Sequence, residues 1–428
     1  MADSELIGSL GMIMLEIGAI LFLSLIIAFV FRRVGIPAIL GLLVGGVMIG
    51  LVTDLQEYVF SSNFDLLRMV IIELALGFIA YDIGNDIDLR LLYEKGPRFG
   101  LILLAESMTP FVLVTGAIFL FSDIEVGVAM IFGAIAITTA PTVTSQILGD
   151  FNARGELAQA ILFMLVFDSI VAILLVNVAV TITTTSGTAG LGGLVLAIFR
   201  TMSVKISISV TFAALGTGVI YILLKRHILE EKSLVEWLMG LSLIIVGASL
   251  FLGGSVILSM LAFGMFLKTL ETREGFEILH EHVLQIELLM VPVVLMFYVL
   301  MGLEIHLSLL VSVGTVLLVF LYFASRVVGK VVGPWVASQF SEVHPNVKRN
   351  LHLSLITQSG IAVALAGLAY NQLTDIGEPD LAKLVLTVVG VSVIISELVG
   401  PLLLRRAIAR CIRERENGLI SLSDIATQ

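Results

Sequence analysis

Residues 134–149 read AIAITTAPTVTSQILG, an apolar segment with a polar break at its centre. Pro141 has no backbone N–H to donate, and it disfavours helical geometry at Ala140, so a helix through this segment is interrupted there. Four hydroxyl side chains surround the break: Thr138, Thr139, Thr142 and Thr144. The pattern predicts a partly unwound helix, whose exposed carbonyl groups and helix ends can bind an ion.

A second polar break lies 218 residues further along the chain. Residues 355–367 read LITQSGIAVALAG, and Thr357, Gln358, Ser359 and Gly360 correspond to residues 139–142 at this offset. A pair of kinked structural helices, in which Ser and Thr hydroxyls bond to their own backbone, is the alternative interpretation. Two breaks at corresponding positions favour a functional site formed by two crossed, partly unwound helices.

The same offset relates two further pairs of segments. Residues 35–50 (GIPAILGLLVGGVMIG) match residues 253–268 (GGSVILSMLAFGMFLK) at several glycine, leucine and isoleucine positions. Residues 84–92 (GNDIDLRLL) match residues 302–310 (GLEIHLSLL) in the same register. One register that serves separate windows predicts an internal repeat, which is characteristic of secondary transporters.

Composition places the chain in a membrane. Hydrophobic residues make up 58% of its 428 residues and charged residues only 14%, against about 25% charged in soluble domains. These values exclude a disordered chain and a nucleic-acid-binding domain, and the single cysteine excludes an intrachain disulfide. Thirteen apolar runs are long enough to predict transmembrane helices: 12–31, 34–52, 66–84, 98–121, 125–148, 156–181, 205–224, 234–252, 254–270, 282–303, 309–338, 349–371 and 382–404.

The basic residues predict the orientation of these thirteen helices. Most of the 24 lysines and arginines fall in alternate loops and in the C-terminal segment, whereas the other side holds only Arg68, Arg200, Lys205 and Lys383. Positive charge marks the cytoplasmic side. We therefore expect a multi-pass protein of the cell (inner) membrane with its N-terminus outside and its C-terminus in the cytoplasm. Six-helix repeats flank the seventh run, so the second repeat is inverted relative to the first.

Asp168 is the leading candidate for the ion site. It lies near the middle of the sixth run, where a charged Asp costs at least ~2.5–3.5 kcal/mol on insertion scales. Burial favours the protonated form of a carboxyl group, so this side chain can bind either a cation or a proton. A neutral aspartic acid that joins two helices by hydrogen bonds is the structural alternative.

Two basic residues lie four apart on one face of the eleventh run, Arg326 near its middle and Lys330 one turn nearer the inside. Arg326 is expected either to balance Asp168 and the opposed helix ends, or to form a structural ion pair with Glu106. Lys330 is expected to reach towards the interface. Glu73 and Glu106, in the third and fourth runs, are possible accessory carboxylates with structural roles as the alternative.

These motifs together resemble the monovalent cation:proton antiporter superfamily, sodium/proton exchanger type, over about residues 12–405. The resemblance rests on residues 35–50, on TTAPTVT (138–144), on FDS (167–169), on Arg326 with Lys330, and on TQSGIAVALA (357–366). It implies that Asp168 binds Na⁺ and H⁺ and that four other residues contribute to the two helix crossings: Thr138, Thr139, Gln358 and Ser359. It also implies that Arg326 and Lys330 balance charge.

The resemblance further implies a homodimer built from a dimer domain and a mobile core domain. The expected division is dimer-domain helices in 1–96 and 233–306, core helices in 97–182 and 307–405, a linker helix in 183–232 and a cytoplasmic tail in 406–428. One residue departs from the family pattern, since Phe167 stands where Asp or Asn usually precedes the essential Asp. The absence of a second polar group at that position favours one-for-one exchange.

The predicted function is secondary antiport of a monovalent cation against H⁺ by alternating access, a process suited to pH homeostasis. Na⁺ is the expected cation, with K⁺ or Li⁺ as alternatives, and no cofactor is expected. A Na⁺-coupled organic-anion symporter and a K⁺ channel-like efflux protein are the other candidates. No HExxH or GxSxG motif occurs, which argues against an enzyme.

Overall fold

The structure is a computed structural model that describes residues 2–34, 37–52, 64–87, 89–151, 153, 155–185, 190–226, 228, 233–274, 276–358 and 360–416. All regular structure within these ranges is helical, which confirms the predicted all-α class. The first eight helices are α1 (Ala2–Arg33), α2 (Ala38–Val52), α3 (Phe64–Asn85), α4 (Leu89–Phe121), α5 (Val126–Ala136), α6 (Pro141–Asp150), α7 (Glu156–Thr185) and α8 (Leu191–Lys225).

Seven further α-helices and one short 3₁₀ helix (Leu307–Val311) follow. The α-helices are α9 (Leu234–Phe251), α10 (Val256–Glu274), α11 (Glu277–Leu303), α12 (Val313–Phe340), α13 (Pro345–Ser354), α14 (Gly360–Asp375) and α15 (Pro379–Glu416). Within the described ranges, seven helices are long and apolar enough to cross a bilayer by themselves, among them α4, α7 and α12. The chain is therefore a multi-pass membrane protein, and the count of thirteen spans stays a prediction.

Two apolar runs are interrupted at the polar breaks. The fifth run forms α5 and α6, with residues 137–140 between them, and Pro141 occupies the first turn of α6 as expected for a residue without an N–H. The twelfth run forms α13 and α14, separated by residues 355–359. Each half is too short to span a bilayer alone, because a span needs about 20 residues.

One boundary differs clearly from the prediction. The seventh run was expected at 205–224, but α8 already begins at Leu191 and contains both Arg200 and Lys205. These two basic residues lower the local hydropathy, so the apolar run appears to start only after them. A helix does not need an apolar surface along its whole length, and Arg200 is exposed on α8.

The chain divides into two compact units, each built from two separate segments. The first unit contains residues 1–89 and 190–307, and the second contains residues 90–189 and 308–428. In the first unit, a cluster of buried side chains joins α1, α3 and α11 through Ile20, Ile71, Met296 and Leu300. In the second unit, α7 is buried along much of its length, which places Asp168 in the interior of that unit.

Close helix crossings in the first unit rest on glycine. A Cβ atom on Gly46 of α2 would lie 2.3 Å from the carbonyl oxygen of Val299, and one on Gly302 of α11 would lie 2.9 Å from the Cα of Gly46. The crossing of α3 and α10 is equally tight, since a Cβ on Gly264 would lie 3.0 Å from the carbonyl carbon of Gly84. Only glycine permits backbones to approach this closely.

Candidate functional site

The two interruptions contact each other inside the second unit. The backbone N–H of Ala140 donates to the carbonyl of Thr357 at 3.2 Å, so the first link is bonded directly to the second. The hydroxyl groups of Thr144 and Thr357 also lie within hydrogen-bond distance, at 3.2 Å. The sequence therefore correctly indicates two polar breaks, and the fold brings them together.

Arg326 holds the ends of the interrupted helices. Its guanidinium group donates to the carbonyl of Ile356 at 2.8 Å, to that of Thr138 at 2.9 Å and to that of Thr357 at 3.1 Å. The last carbonyl groups of a helix lack intrahelical partners and form the negative end of its dipole. The buried positive charge of Arg326 thus compensates both links, which is the second of the roles expected from the sequence.

Gln358 joins the links to α12. Its amide donates to the Tyr322 hydroxyl at 2.9 Å and to the carbonyl of Ile135, near the end of α5, at 3.3 Å. The Thr138 hydroxyl donates to the same carbonyl at 2.9 Å. Both side chains are buried and bind backbone or tyrosine groups, so in this conformation they shape the links rather than contact Asp168 directly.

Asp168 is fully buried and accepts hydrogen bonds from three groups. The Thr139 hydroxyl donates to Oδ2 at 2.6 Å, and the ammonium group of Lys330 donates to the same oxygen at 3.3 Å. The Ser169 hydroxyl lies 3.2 Å from Oδ1. The carboxylate is therefore surrounded by a hydroxyl from the first break, a hydroxyl of its own helix and one positive charge.

Lys330 joins two carboxylates. Besides Asp168, its ammonium group forms an ion pair with Glu106 of α4 and donates to the Thr139 hydroxyl at 2.9 Å. Lys330 and Glu106 are both fully buried, so the expectation that Lys330 reaches towards the interface is wrong. The reason is electrostatic, because two nearby carboxylates compensate the desolvation of the ammonium group. Glu106 thus pairs with Lys330 and not with Arg326.

The pairing of Lys330 with Glu106 depends on a close helix crossing. A Cβ atom on Gly329 would lie 2.4 Å from the Cα of Pro110, so α12 and α4 are nearly in backbone contact at this point. Gly329 immediately precedes Lys330, and Pro110 lies one turn after Glu106. The glycine therefore allows both charged side chains to meet between the helices.

Three predicted or unexpected residues complete the description. Ser359 lies outside the described residues, and Glu73 belongs to α3 in the first unit, where it is half-buried. Phe167, at the position that departs from the family pattern, is buried and packs on Phe163 with ring centroids 4.5 Å apart. Its role in the structure is apolar packing beside Asp168.

Sequence reasoning did not single out Ser169 or Tyr322. Ser169 follows Asp168 directly, and Tyr322 lies one helical turn before Arg326 on the same face of α12. A search for polar residues one turn from each buried charge finds Tyr322 and is the signal that was available. The cluster comprises Glu106, Thr139, Asp168, Ser169 and Lys330, and is called the carboxylate cluster below.

The carboxylate cluster has the chemistry of a site that exchanges cations. Its two acidic groups share one lysine ammonium, and its hydroxyl oxygens are neutral ligands that suit a small cation. A monovalent cation that enters would take the place of the Lys330 ammonium at Asp168, while Glu106 retains Lys330. Arg326 stays on the link carbonyls and does not have to move.

Comparison with known proteins finds a relative of comparable length. The high-affinity Na⁺/H⁺ antiporter NhaS3 of Synechocystis sp. is 23% identical over 405 aligned residues, which cover 83% of this chain and 82% of that protein. Structures of the sodium proton antiporter MjNhaP1 from Methanocaldococcus jannaschii are also similar. The structure at pH 8 gives a TM-score of 0.69 at 16% identity and covers 93% of this chain and 99% of that chain.

An electron-microscopy structure of the same antiporter gives a TM-score of 0.64 at 15% identity, covering 95% of this chain and 99% of that chain. At these identities the likeness is one of fold. The family model described as sodium/hydrogen exchanger, transmembrane, matches residues 19–406. The match extends over most of the sequence and includes both interrupted helices, and the chain belongs to the sodium/hydrogen exchanger family.

Proposed function

We propose that the chain exchanges a monovalent cation for H⁺ across the membrane, with Asp168 as the site that the cation and the proton occupy in turn. Na⁺ is the proposed cation, with K⁺ and Li⁺ as the alternatives to be compared. Family membership supports the exchange of cation against proton. The burial of Asp168 beside the two helix interruptions is the observation that carries the assignment of the site.

The proposed competition has a simple electrostatic basis. A carboxylate enclosed in protein is costly unless a positive charge neutralises it. Three species can do so at Asp168: the Lys330 ammonium, a bound cation, or a proton. The cation and the proton exclude each other because each neutralises the same charge, and this exclusion couples their fluxes without ATP.

Glu106 explains how the site functions with Phe167 at the position before Asp168. When a cation displaces Lys330 from Asp168, the lysine keeps a second buried carboxylate as its partner. The ammonium therefore remains charged throughout, and only Asp168 gains or loses a proton. We infer a one-for-one exchange, in which each cation that crosses the membrane is replaced by one proton.

The hydroxyl groups and carbonyls at the breaks are the proposed auxiliary ligands. Thr139 and Ser169 already contact Asp168, so their oxygens are positioned for a cation bound to that carboxylate. The carbonyl of Thr138, together with Gln358 and Ser359, supplies further oxygen atoms at the links. In transporters, unwound backbone and half-helix ends of this kind coordinate Na⁺.

Alternating access, the inverted repeat and the domain roles belong to the same proposal. The second unit would be the mobile core and the first unit the dimer side of a homodimer in the cell (inner) membrane. The glycine crossings support the repeat, because Gly46 corresponds to Gly264 and Gly84 to Gly302 at the offset of 218 residues. We propose an extracellular N-terminus and a cytoplasmic C-terminus from the distribution of basic residues.

The assay that tests this function uses purified protein in liposomes with an imposed pH gradient. Addition of Na⁺, K⁺ or Li⁺ should dissipate the gradient, and Asp168→Asn should abolish the response. Glu156→Gln is the matched control, since Glu156 lies on the same helix and pairs with the half-exposed Arg98 at its end. Full activity of Asp168→Asn would refute the site.

The same assay separates the two alternatives. An organic-anion symporter would need the organic acid in addition to Na⁺ before any flux appears. A K⁺ channel would conduct K⁺ without dissipating the pH gradient through a coupled proton movement. Neither alternative accounts for two buried carboxylates around one lysine, because an anion is repelled by such a site and a channel does not need one.

A further inference from the structure

A cavity outside the carboxylate cluster lies where α12 ends and α13 begins. It has a volume of about 370 Å³ and is lined by Trp335, Gln339, Pro345, Lys348, Arg349 and His352. None of these residues has a part in the proposed cation exchange. All six belong to the second unit.

The polar side of the cavity is cationic. Lys348 and Arg349 lie in the first turns of α13, and the Lys348 ammonium is held by the carbonyl of Gln339 at 3.3 Å. Arg410 of α15 is close enough to interact electrostatically with His352. The buried Nδ1 atom of His352 has no hydrogen-bond partner among the described residues. No acidic side chain lines the cavity.

The other side of the cavity continues into an exposed apolar ridge on α12. Val328, Val332, Val336 and Phe340 follow one another at intervals of four residues, and 50%, 41%, 41% and 80% of their surfaces are exposed. Residues four apart lie on the same face of a helix. At about 1.5 Å per residue, the ridge is roughly 18 Å long.

The length of the ridge matches one half of a bilayer. A hydrocarbon core of about 30 Å gives each leaflet roughly 15 Å. Trp335, half-exposed at the cavity, lies where a membrane protein places tryptophan, at the boundary between hydrocarbon and headgroups. The cavity is thus at headgroup level and the ridge at acyl-chain level.

We propose that this cavity binds the phosphate of an anionic phospholipid, whose acyl chains lie along the ridge of α12. Lys348, Arg349 and Arg410 supply the positive charge, and the unpartnered His352 nitrogen supplies a further polar contact. A soluble phosphate would find the same cations but would gain nothing from the apolar ridge. Basic pockets at the membrane boundary have the charge that anionic headgroups require.

Trp335 makes the proposal measurable, because the chain has only two tryptophans. Trp237→Phe leaves Trp335 as the sole indole; Trp237 lies on α9 of the first unit. The full-length Trp237→Phe protein is reconstituted in phosphatidylcholine vesicles that contain brominated phosphatidylglycerol or, at the same mole fraction, brominated phosphatidylcholine. We expect stronger quenching of Trp335 by the brominated phosphatidylglycerol.

The charge requirement is tested by Lys348→Gln combined with Arg349→Gln in the same background. The preference for phosphatidylglycerol should fall by roughly tenfold, because each basic residue near an anionic surface contributes substantially to lipid binding. Arg32→Gln with Arg33→Gln is the matched control, since it removes two basic charges from the end of α1 in the first unit. This control should retain the preference.

Three outcomes would overturn the proposal. The first is equal quenching by the two brominated lipids, and the second is an unchanged preference after loss of Lys348 and Arg349. In the third, glycerol phosphate added to vesicles of pure phosphatidylcholine changes Trp335 emission as much as phosphatidylglycerol does, which assigns the cavity to a soluble phosphate. Circular dichroism of each variant in detergent confirms that a lost preference is not a loss of folding.

Discussion

At the scale of single residues, the site is a balance of four buried charges. Arg326 compensates the carbonyl ends of the links, and Lys330 is shared between Glu106 and Asp168. Each positive charge thus has a separate task. The division leaves Asp168 as the group whose partner can be exchanged while the rest of the site stays neutral.

Glu106→Gln tests whether the pair with Lys330 holds the site together. The variant leaves Lys330 with Asp168 as its only acidic partner, and loss of one member of a buried ion pair costs about 3–5 kcal/mol. We expect a clear decrease in the free energy of unfolding, measured in detergent by chemical denaturation. Glu106→Gln with Lys330→Gln should recover much of the loss, since no unpaired ammonium remains.

Glu271→Gln is the control for that experiment. Glu271 pairs with Lys268 at 3.1 Å on α10, and both side chains are partly exposed. Such a pair contributes about 1 kcal/mol or less. If Glu106→Gln were no more destabilising than Glu271→Gln, the central role of the buried pair would be wrong.

The sequence identified every charged member of the site but not their pairing. Asp168, Arg326, Lys330 and Glu106 are conspicuous because charges are rare in apolar runs. Which base contacts which acid depends on the rotation and spacing of α4 and α12. Those quantities arise from side-chain packing between helices distant in sequence, so the sequence left Glu106 as a possible partner of Arg326.

At the scale of helices, interruptions and close crossings have different sequence signals. Pro141 and the polar residues around it are a local signal, and the break between α5 and α6 was predicted from it. A close crossing needs two surfaces, and a glycine on one helix does not reveal its partner. The contact of Gly329 with Pro110 therefore became evident only in the structure.

Gly329→Ala tests the crossing of α12 and α4. The added Cβ would lie 2.4 Å from a backbone atom of Pro110, so the helices must separate, at a cost of about 1–3 kcal/mol. Separation also moves Lys330 away from Glu106. We expect a lower thermal unfolding temperature in detergent and a loss of cation-dependent proton movement in liposomes.

Gly247→Ala on α9 is the matched substitution, because its Cβ would meet nothing within 4 Å. Alanine favours helix over glycine by about 1 kcal/mol, so this variant should be as stable as the original chain or more so. Equal unfolding temperatures for the two alanine variants would contradict the close approach of α12 to α4.

At the scale of the whole molecule, two properties follow from the sequence with different certainty. The all-α membrane class follows from composition, since a chain with 14% charged residues cannot cover a soluble globule. The repeat is suggested by the offset of 218 residues, and the paired glycine crossings of the first unit support it. Its inversion depends on the number of spans, which stays a prediction.

The single cysteine gives a direct test of orientation. Cys411 lies near the end of α15, beyond the last predicted span, and is partly exposed. We expect a membrane-impermeant maleimide to leave Cys411 unlabelled in intact cells and to label it in inside-out vesicles. Labelling in intact cells would place the C-terminus outside and reverse the proposed topology.

The central claim is that Na⁺ and H⁺ occupy Asp168 in turn, and proton release on Na⁺ binding tests it most directly. Purified protein in weakly buffered detergent solution is titrated with NaCl over a range of pH, and choline chloride serves as the control for ionic strength. The account predicts a release that approaches one proton per bound Na⁺ at the more acidic pH values. Asp168→Asn should release none, and undiminished proton release by that variant would contradict the account.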